Sequence, residues 1–244
     1  MLLEVCVDNL ESATTAVYSG ADEIEVCSFL SEGGLTPAPE LVYEILDMIN
    51  FYMDTTFARK KPKVNVMIRC RPGWDFCYNE IEMAKMVAQM ADFKSMDVDR
   101  FVFGAITADV PKEVDVAACK KILAEAHPKP VTFHRAFDMC PNVLTTMEQI
   151  IKLGFDRLLT SGQKDSASHV EAIKTIRYLQ DAYADRIQIM PGGGINAENA
   201  QIFAEMGCKI VHGSCRPPKQ APGEEHIYST DGDIVQAIKE IVTF

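Results

Sequence analysis

The sequence predicts a single-domain (β/α)8 TIM-like barrel. Short apolar segments with strand character alternate with longer helical segments along the chain, and this alternation is typical of a parallel α/β fold. The length of 244 residues is close to the roughly 250 residues typical of such a barrel. The stretch Val131–Asp138 shows the pattern most clearly, because an apolar run ends in a histidine, an arginine and an aspartate. A doubly wound open sheet is the alternative fold, and no linker divides residues 1–244.

Each predicted strand is a short apolar run that ends in polar or turn-forming residues. The first two strands nearly repeat each other, since the residues Glu-Val-Cys at 4–6 recur at 25–27. The eight strands are expected at Leu3–Val7, Glu23–Cys27, Val64–Ile68, Arg100–Gly104, from Val131 onward, Arg157–Thr160, Ile187–Pro191 and Lys209–His212.

The predicted helices carry recognisable start and stop signals. Asp8 or Asn9 can cap the first helix, and Gly20 can end it. The connection at Phe51–Lys63, after the second helix, is unusually long. The helices are expected at Leu10–Ser19, Glu40–Asn50, Glu80–Ser95, Asp115–Ala126, Pro141–Leu153, Ser166–Ala182, Ala197–Met206 and Asp231–Val242.

Composition narrows the choice of partners and compartment. The formal net charge of -11 disfavours binding to nucleic acid and to anionic membrane surfaces. No apolar run approaches the roughly 20 residues of a membrane span, and no basic segment precedes the first strand as a secretory signal would require. The eight cysteines contain no CxxC pair, so buried or metal-binding thiols in a cytoplasmic protein are expected rather than disulfides. A homodimer is expected from the prevalence of symmetric dimers.

Residue alternation on the strands predicts which side chains face the barrel axis. These are Glu4, Cys6, Glu25, Cys27, Asn65, Met67, Arg69, Thr132, His134 and His212. Buried carboxylates need a compensating charge, so we expect Arg69, Arg71 or Arg135 close to Glu4 and Glu25. A buried salt-bridge network without a catalytic role is the alternative interpretation.

Glycines after the last strands predict an anion-binding site at the mouth of the barrel. Glycine lets backbone amides approach a ligand closely, and loops at this end of a barrel commonly hold phosphate. Donors on the same side follow the sixth strand. The predicted site comprises Gly193 and Gly194, Gly213 and Ser214, and Ser161 and Gly162. The alternative for a glycine run is a tight turn.

Cys6 and Cys27 lie at matching positions of adjacent predicted strands. Two thiolates at the mouth would suit the soft ion Cu(I) better than a hard cation. Free cysteine is also among the most frequently buried residues, so a packing role is the alternative.

The sequence resembles the CutC family of copper homeostasis proteins. The matching segments are Leu3–Asp8 (LEVCVD), Gly20–Cys27 (GADEIEVC), Ser31–Pro37 (SEGGLTP), Arg69–Tyr78, Val131–Met139 (VTFHRAFDM), Leu158–Gly162 (LLTSG) and Met190–Ile195 (MPGGGI). The resemblance implies a TIM-like barrel, a cytoplasmic role in copper handling, and Cu(I) ligation by Cys6 and Cys27. The insert at Phe51–Lys63 and the thiol of Cys70 depart from the family pattern.

Three functions follow from these observations. The first is a copper homeostasis protein that binds Cu(I) through Cys6 and Cys27. The second is an enzyme of isomerase, lyase or aldolase type that acts on a phosphorylated small molecule, with His134 and Glu25 as acid and base and with Arg69 and Arg71 as electrostatic stabilisers. Its candidate catalytic residues are Glu4, Glu25, Arg69, Arg71, His134, Arg135, Asp138 and His212. The third is a scaffold that acts through oligomer contacts.

Overall fold

Eight parallel strands form the barrel in a computed structural model that describes residues 1–56, 60–217 and 229–243. Neighbouring strands are hydrogen-bonded in the order β7-β6-β5-β4-β3-β2-β1-β8. A parallel bridge between Gly192 and His212 links the two outer strands of that order. The strands are β1 (Leu2–Val7), β2 (Glu23–Val26), β3 (Lys63–Met67), β4 (Arg100–Phe103), β5 (Val131–Phe133), β6 (Arg157–Thr160), β7 (Gln188–Pro191) and β8 (Ile210–Gly213).

A helix follows each strand along the chain and covers the outside of the sheet. The helices are α1 (Leu10–Tyr18), α2 (Pro39–Thr55), α3 (Glu80–Lys94), α4 (Val116–Ala126), α5 (Val143–Leu153), α6 (Val170–Tyr183), α7 (Ala200–Glu205) and α8 (Gly232–Thr243). Asn9 caps α1 by accepting a hydrogen bond of 2.8 Å from the amide of Ser12. The predicted (β/α)8 barrel is therefore confirmed.

The structure differs from the prediction at several element ends. Helix α2 continues to Thr55 and takes up the first part of the predicted insert at Phe51–Lys63, of which residues 57–59 lie outside the described ranges. Helix α6 begins at Val170 instead of Ser166, because His169 is its N-cap and accepts from the amide of Glu171. Strand β5 ends at Phe133 and a short 3-10 helix, Arg135–Met139, follows it.

Apolar side chains pack on both sides of the sheet. Leu3, Val5 and Val7 point outward into the large core between strands and helices. Two smaller apolar clusters fill the barrel itself, one formed by Cys27, Met67 and Val102 and the other by Leu159, Met190 and Ile210. The polar residues that face the axis therefore lie next to packed apolar layers. Among the described residues, no helix is both long and apolar enough to cross a bilayer.

Candidate functional site

Cys6, Glu25 and His212 form a compact cluster inside the barrel. One ligand atom from each residue lies within 4.8 Å of the other two. All three residues are buried, with exposed fractions of 7% for Cys6, 3% for Glu25 and 8% for His212. The cluster forms because the pairing of β1 with β2 sets Cys6 opposite Glu25, while the pairing of β1 with β8 sets Glu4 opposite His212. A thiol, an imidazole and a carboxylate at this spacing are a set of metal-ligand donors.

A hydrogen bond with Glu4 fixes the imidazole of His212. The His212 Nδ1 to Glu4 Oε1 distance is 2.8 Å, and the opposite ring nitrogen lies 3.9 Å from Glu25 Oε2. The second oxygen of Glu25, Oε1, is buried without a hydrogen-bond partner in the described part of the chain. The imidazole is thus fixed by one carboxylate and turned toward a second carboxylate and a thiol.

The charges that compensate Glu4 come from His212 and Arg157. The prediction that Arg69, Arg71 or Arg135 would lie against Glu4 and Glu25 was wrong. Arg157 is 2% exposed, and its Nη1 donates to Glu23 Oε2 at 2.8 Å and to Glu4 Oε2 at 3.4 Å. Its Nη2 bonds Glu23 Oε1 at 3.1 Å, and Asn65 Nδ2 donates to both glutamates. A buried network of two carboxylates, one guanidinium and one amide therefore lies next to the Cys6, Glu25 and His212 cluster.

Burial and neighbouring charges give Glu4 and Glu25 very different pKa values. Burial would raise the pKa of Glu4, but the hydrogen bond and charge of His212 and the charge of Arg157 lower this pKa to about 2. Burial raises the pKa of Glu25 to about 7, against the opposing effect of His212 and with a further contribution from the charge of Glu4. Burial also opposes the charged form of His212, but the charges of Cys6 and Glu25 raise its pKa well above the usual value. The site holds one firmly ionised carboxylate and one that titrates near neutrality.

Cys27 is fully buried beside this cluster. Its thiol donates a hydrogen bond of 3.4 Å to the carbonyl of Val7. Burial, then the charges of Glu25 and Cys6, raises the pKa of Cys27 well above the ordinary value for a thiol. Cys27 is not part of the Cys6, Glu25 and His212 group. Because its raised pKa favours the neutral thiol, a metal ion would bind Cys27 only after displacing the thiol proton.

Arg69 and Arg71 hold the mouth loops together. The Arg69 guanidinium donates to the carbonyls of Gly33 at 2.9 Å, Gly34 at 3.2 Å and Gly73, so it ties the loop after β2 to the loop after β3. Arg71 bonds Asp75 at 2.9 Å and Glu82 at 2.8 Å. The two predicted electrostatic stabilisers thus make these contacts with loop backbone, with the loop carboxylate of Asp75 and with the α3 carboxylate of Glu82.

His134 lies at the end of β5 in an aromatic environment. Its Nδ1 accepts a hydrogen bond of 3.1 Å from the amide of Ala136, and its ring centroid lies 4.8 Å from that of Phe76. Burial first, and then the charge of Arg69, lowers the pKa of His134 to about 3. The imidazole is therefore neutral near pH 7, which suits a hydrogen-bond donor better than the acid predicted from the sequence.

The carboxylate of Asp138 accepts hydrogen bonds from donors at the end of β6 and in the loop that follows it. Its carboxylate accepts from the Thr160 hydroxyl, from the Ser161 amide at 3.0 Å and hydroxyl at 2.9 Å, and from the Gln163 amide at 3.0 Å. Arg135 Nε lies 3.2 Å from the same carboxylate. The amide of Gly162 donates to Thr160 Oγ1 at 2.9 Å. In the predicted anion site, the donors of Ser161 are thus satisfied by the carboxylate of Asp138 and the amide of Gly162 by the hydroxyl of Thr160.

The glycines after β7 and β8 have different environments. Gly193 and Gly194 have φ values of +93° and +78°, a region in which only glycine is unstrained. Gly213 is the last residue of β8, where it pairs with Val5, and the carbonyl of Ser214 accepts from the hydroxyl of Thr230. Of the predicted anion-binding residues, Gly193 and Gly194 lie in an open loop, with Gly194 exposed to solvent.

Comparison with known proteins agrees with this architecture. The model of the CutC family matches residues 1–217. The chain belongs to the CutC family.

CutC relatives are found in both animals and bacteria. The human copper homeostasis protein cutC homolog is 40% identical and covers 90% of this chain and 75% of its own length. A CutC protein of Pasteurella multocida (strain Pm70) is 34% identical over 99% of both chains. The crystal structure of a CutC protein from Streptococcus agalactiae superimposes with a TM-score of 0.78 at 32% identity, over 88% of this chain and 98% of that chain.

The sequence pattern did not predict two members of the buried network, Glu23 and Arg157. Glu23 lies two residues before Glu25 on β2, and Arg157 lies two residues before the inward-facing Leu159 on β6. The same alternation that selected Glu25 would have selected both residues if each strand had been followed to its first residue. Their pairing could not be read in this way, because it joins strands separated by more than 130 residues.

Proposed function

We propose that this CutC-family chain binds Cu(I) as cargo, with the thiolate of Cys6 and the imidazole of His212 as ligands. The observation that supports this proposal is the approach of Cys6, Glu25 and His212 ligand atoms to within 4.8 Å of one another in a buried site. Thiolate is a soft ligand that favours Cu(I), and imidazole also suits copper. The ion would replace the proton that the charges of Cys6 and Glu25 favour on His212. The carboxylate of Glu25 is a harder donor, so its role is to balance charge near the ion. Cys27, the second ligand that the family resemblance implies, is a further thiolate candidate once its proton has left.

Anaerobic titration of Cu(I) against a chromogenic chelator tests this proposal. Cys6→Ser and His212→Gln should each abolish tight binding, whereas Cys27→Ser measures whether the second thiol contributes. Cys119→Ser is the matched control, because Cys119 is equally buried but lies on α4, outside the barrel. Circular dichroism of every variant checks that the fold is kept. Wild-type affinity in Cys6→Ser would refute the proposed ligand set.

A second candidate function is the acid–base enzyme acting on a phosphorylated small molecule. The observation that favours it is a carboxyl group, Glu25, whose pKa lies at about 7 beside the imidazole of His212. A base with a pKa near the working pH is the efficient choice for proton abstraction next to a carbonyl. Incubation with a panel of sugar phosphates in D2O, followed by proton NMR, would reveal this activity as exchange of the proton next to the carbonyl. The activity should disappear in Glu25→Gln.

Cytoplasmic location and a homodimeric state are further proposals, as is the assignment of residues 1–244 to one domain. All eight cysteines carry free thiols, which supports a reducing compartment. The net charge of -11 supports a small ligand rather than nucleic acid or an anionic membrane as partner. Light scattering coupled to size-exclusion chromatography tests the dimer directly.

A further inference from the structure

Hydrogen bonds hold the Arg135 guanidinium at the barrel mouth through two of its three nitrogens. Its Nε donates to Asp138 at 3.2 Å, and its Nη2 donates to the Ser161 hydroxyl at 2.8 Å and to the Lys164 carbonyl at 3.4 Å. No residue within the described ranges accepts a hydrogen bond from its Nη1. The side chain is 24% exposed. Three hydrogen bonds through two nitrogens therefore orient the group, and the third nitrogen stays available to a ligand.

The backbone of Gly193 lies directly against this guanidinium. A Cβ at Gly193 would stand 3.5 Å from both Cζ and Nη1 of Arg135, and 3.1 Å from the Ser161 Cβ. The amide of Gly193 faces the carbonyl of His212 across the bridge between Gly192 and His212, whereas the amide of Gly194 donates to no acceptor in the portion of the chain that the structure describes. A cationic nitrogen and a backbone amide thus lie in the same loop region, and these are the groups that bind oxyanions in proteins.

The ring of Trp74 also contacts the guanidinium of Arg135. Arg135 Cζ lies 4.8 Å from the centre of the Trp74 ring, within the range of a cation–π contact. Trp74 is 55% exposed, although it reaches from the loop after β3 to a residue that follows β5. The contact restricts the orientation of Arg135.

The loop after β7 connects this position to the Cys6, Glu25 and His212 cluster. A Cβ at Gly192 would stand 3.2 Å from the His212 Cβ, whereas one at Gly193 would meet Arg135. Consecutive glycines therefore touch the imidazole of the cluster and the guanidinium of Arg135.

We propose that Arg135 and the amide of Gly194 form a subsite for the phosphate group of a small molecule, beside Trp74 and against the backbone of Gly193. The negative charge of Asp138 does not prevent this, because its carboxylate is already surrounded by hydroxyl, amide and guanidinium donors. Local donors are required in a chain with a net charge of -11, whose long-range field repels anions. The subsite supplies the anchor on which the second candidate function rests, but it is independent of copper.

Titration with glycerol 3-phosphate, followed by 1H–15N NMR without added metal, tests the subsite. The amide resonances of Gly193 and Gly194 and the indole resonance of Trp74 should shift saturably, and glycerol should leave them unchanged. Arg135→Gln should weaken binding by about tenfold or more, as expected for loss of a hydrogen bond to a charged group. Arg135→Lys keeps the charge beside Asp138 but lacks the planar fork, so it should also bind more weakly.

Arg186→Gln is the matched control, because Arg186 pairs with Glu148 on the outer surface at 42% side-chain exposure. This variant should bind like the wild type. The subsite is refuted if glycerol 3-phosphate causes no saturable shift, or if folded Arg135→Gln and Arg135→Lys both retain wild-type affinity. Because neither copper nor turnover enters the measurement, such a result would leave the Cu(I) proposal standing.

Discussion

Replacement of His134 by asparagine should remove one source of acid sensitivity from the folded chain. The imidazole is 3% exposed, and its Nδ1 accepts the amide proton of Ala136 at 3.1 Å. Protonation of the ring would therefore break this hydrogen bond and leave a charge next to Phe76 and near Arg69. Asparagine offers an acceptor oxygen in place of Nδ1 and cannot titrate.

The expected magnitude follows from the pKa difference between the two states. Burial, followed by the charge of Arg69, lowers the pKa of His134 from 6.5 to about 3 in the folded chain. Below pH 6.5 the unfolded chain takes up a proton that the folded chain does not, so folding stability falls until the pH reaches about 3. Between pH 7 and pH 5 this one residue should cost about 2 kcal/mol of unfolding free energy.

Urea unfolding of wild type and His134→Asn at pH 7 and pH 5 measures this effect. The stability of the wild type relative to the variant should decrease by about 2 kcal/mol at the lower pH. Groups that titrate equally in both proteins cancel in this comparison. His127→Asn is the control for replacing a histidine by asparagine, because His127 is exposed at the end of α4. A constant difference for His134→Asn, or a His134 pKa near 6.5 by NMR, would refute the argument.

Two further predictions concern the polar interior of the barrel. Glu4→Gln should weaken Cu(I) binding by about 10-fold to 100-fold in the chelator titration, since a carboxylate that orients a ligating imidazole typically contributes that much; unchanged affinity would show that the 2.8 Å contact with His212 does not position a ligand. Arg157→Met should destabilise the fold by about 3–5 kcal/mol, because Glu4 and Glu23 would remain buried without their cation. Urea unfolding checks this value, and a loss below about 1 kcal/mol would mean that the two carboxylates are compensated in another way.

Much of the architecture could be predicted from local pattern. The periodicity of apolar residues located all eight strands and gave the class of fold, because side-chain direction on a strand alternates regardless of what the strand pairs with. The same rule placed Glu4, Cys6, Glu25 and His212 inside the barrel, where the structure finds them. The ends of elements were harder to predict, as β5 shows. Its final polar residue, His134, leaves the strand to cap a 3-10 helix through a hydrogen bond to Ala136.

Partner choice inside the barrel could not be predicted in this way. Arg69, Arg71 and Arg135 were the arginines nearest the predicted mouth in sequence, yet Arg157 compensates Glu4. The other arginines are committed to contacts such as the loop carbonyls around Arg69 or the carboxylate of Asp138. Which cation reaches a buried carboxylate depends on strand register and on the height of each side chain along the axis, and both are set only when the barrel closes.

The sequence by itself therefore determined the barrel, the inward direction of its polar residues and the resemblance to the CutC family. The tertiary structure alone decided that Cys6 meets Glu25 and His212, that Asp138 fills the donors after β6, and that Arg135 lies against Gly193. The physical reason is the distance along the sequence over which each effect acts. Side-chain alternation acts over two residues, whereas these contacts join residues as far apart in sequence as Cys6 and His212 and depend on the closed sheet to bring them together.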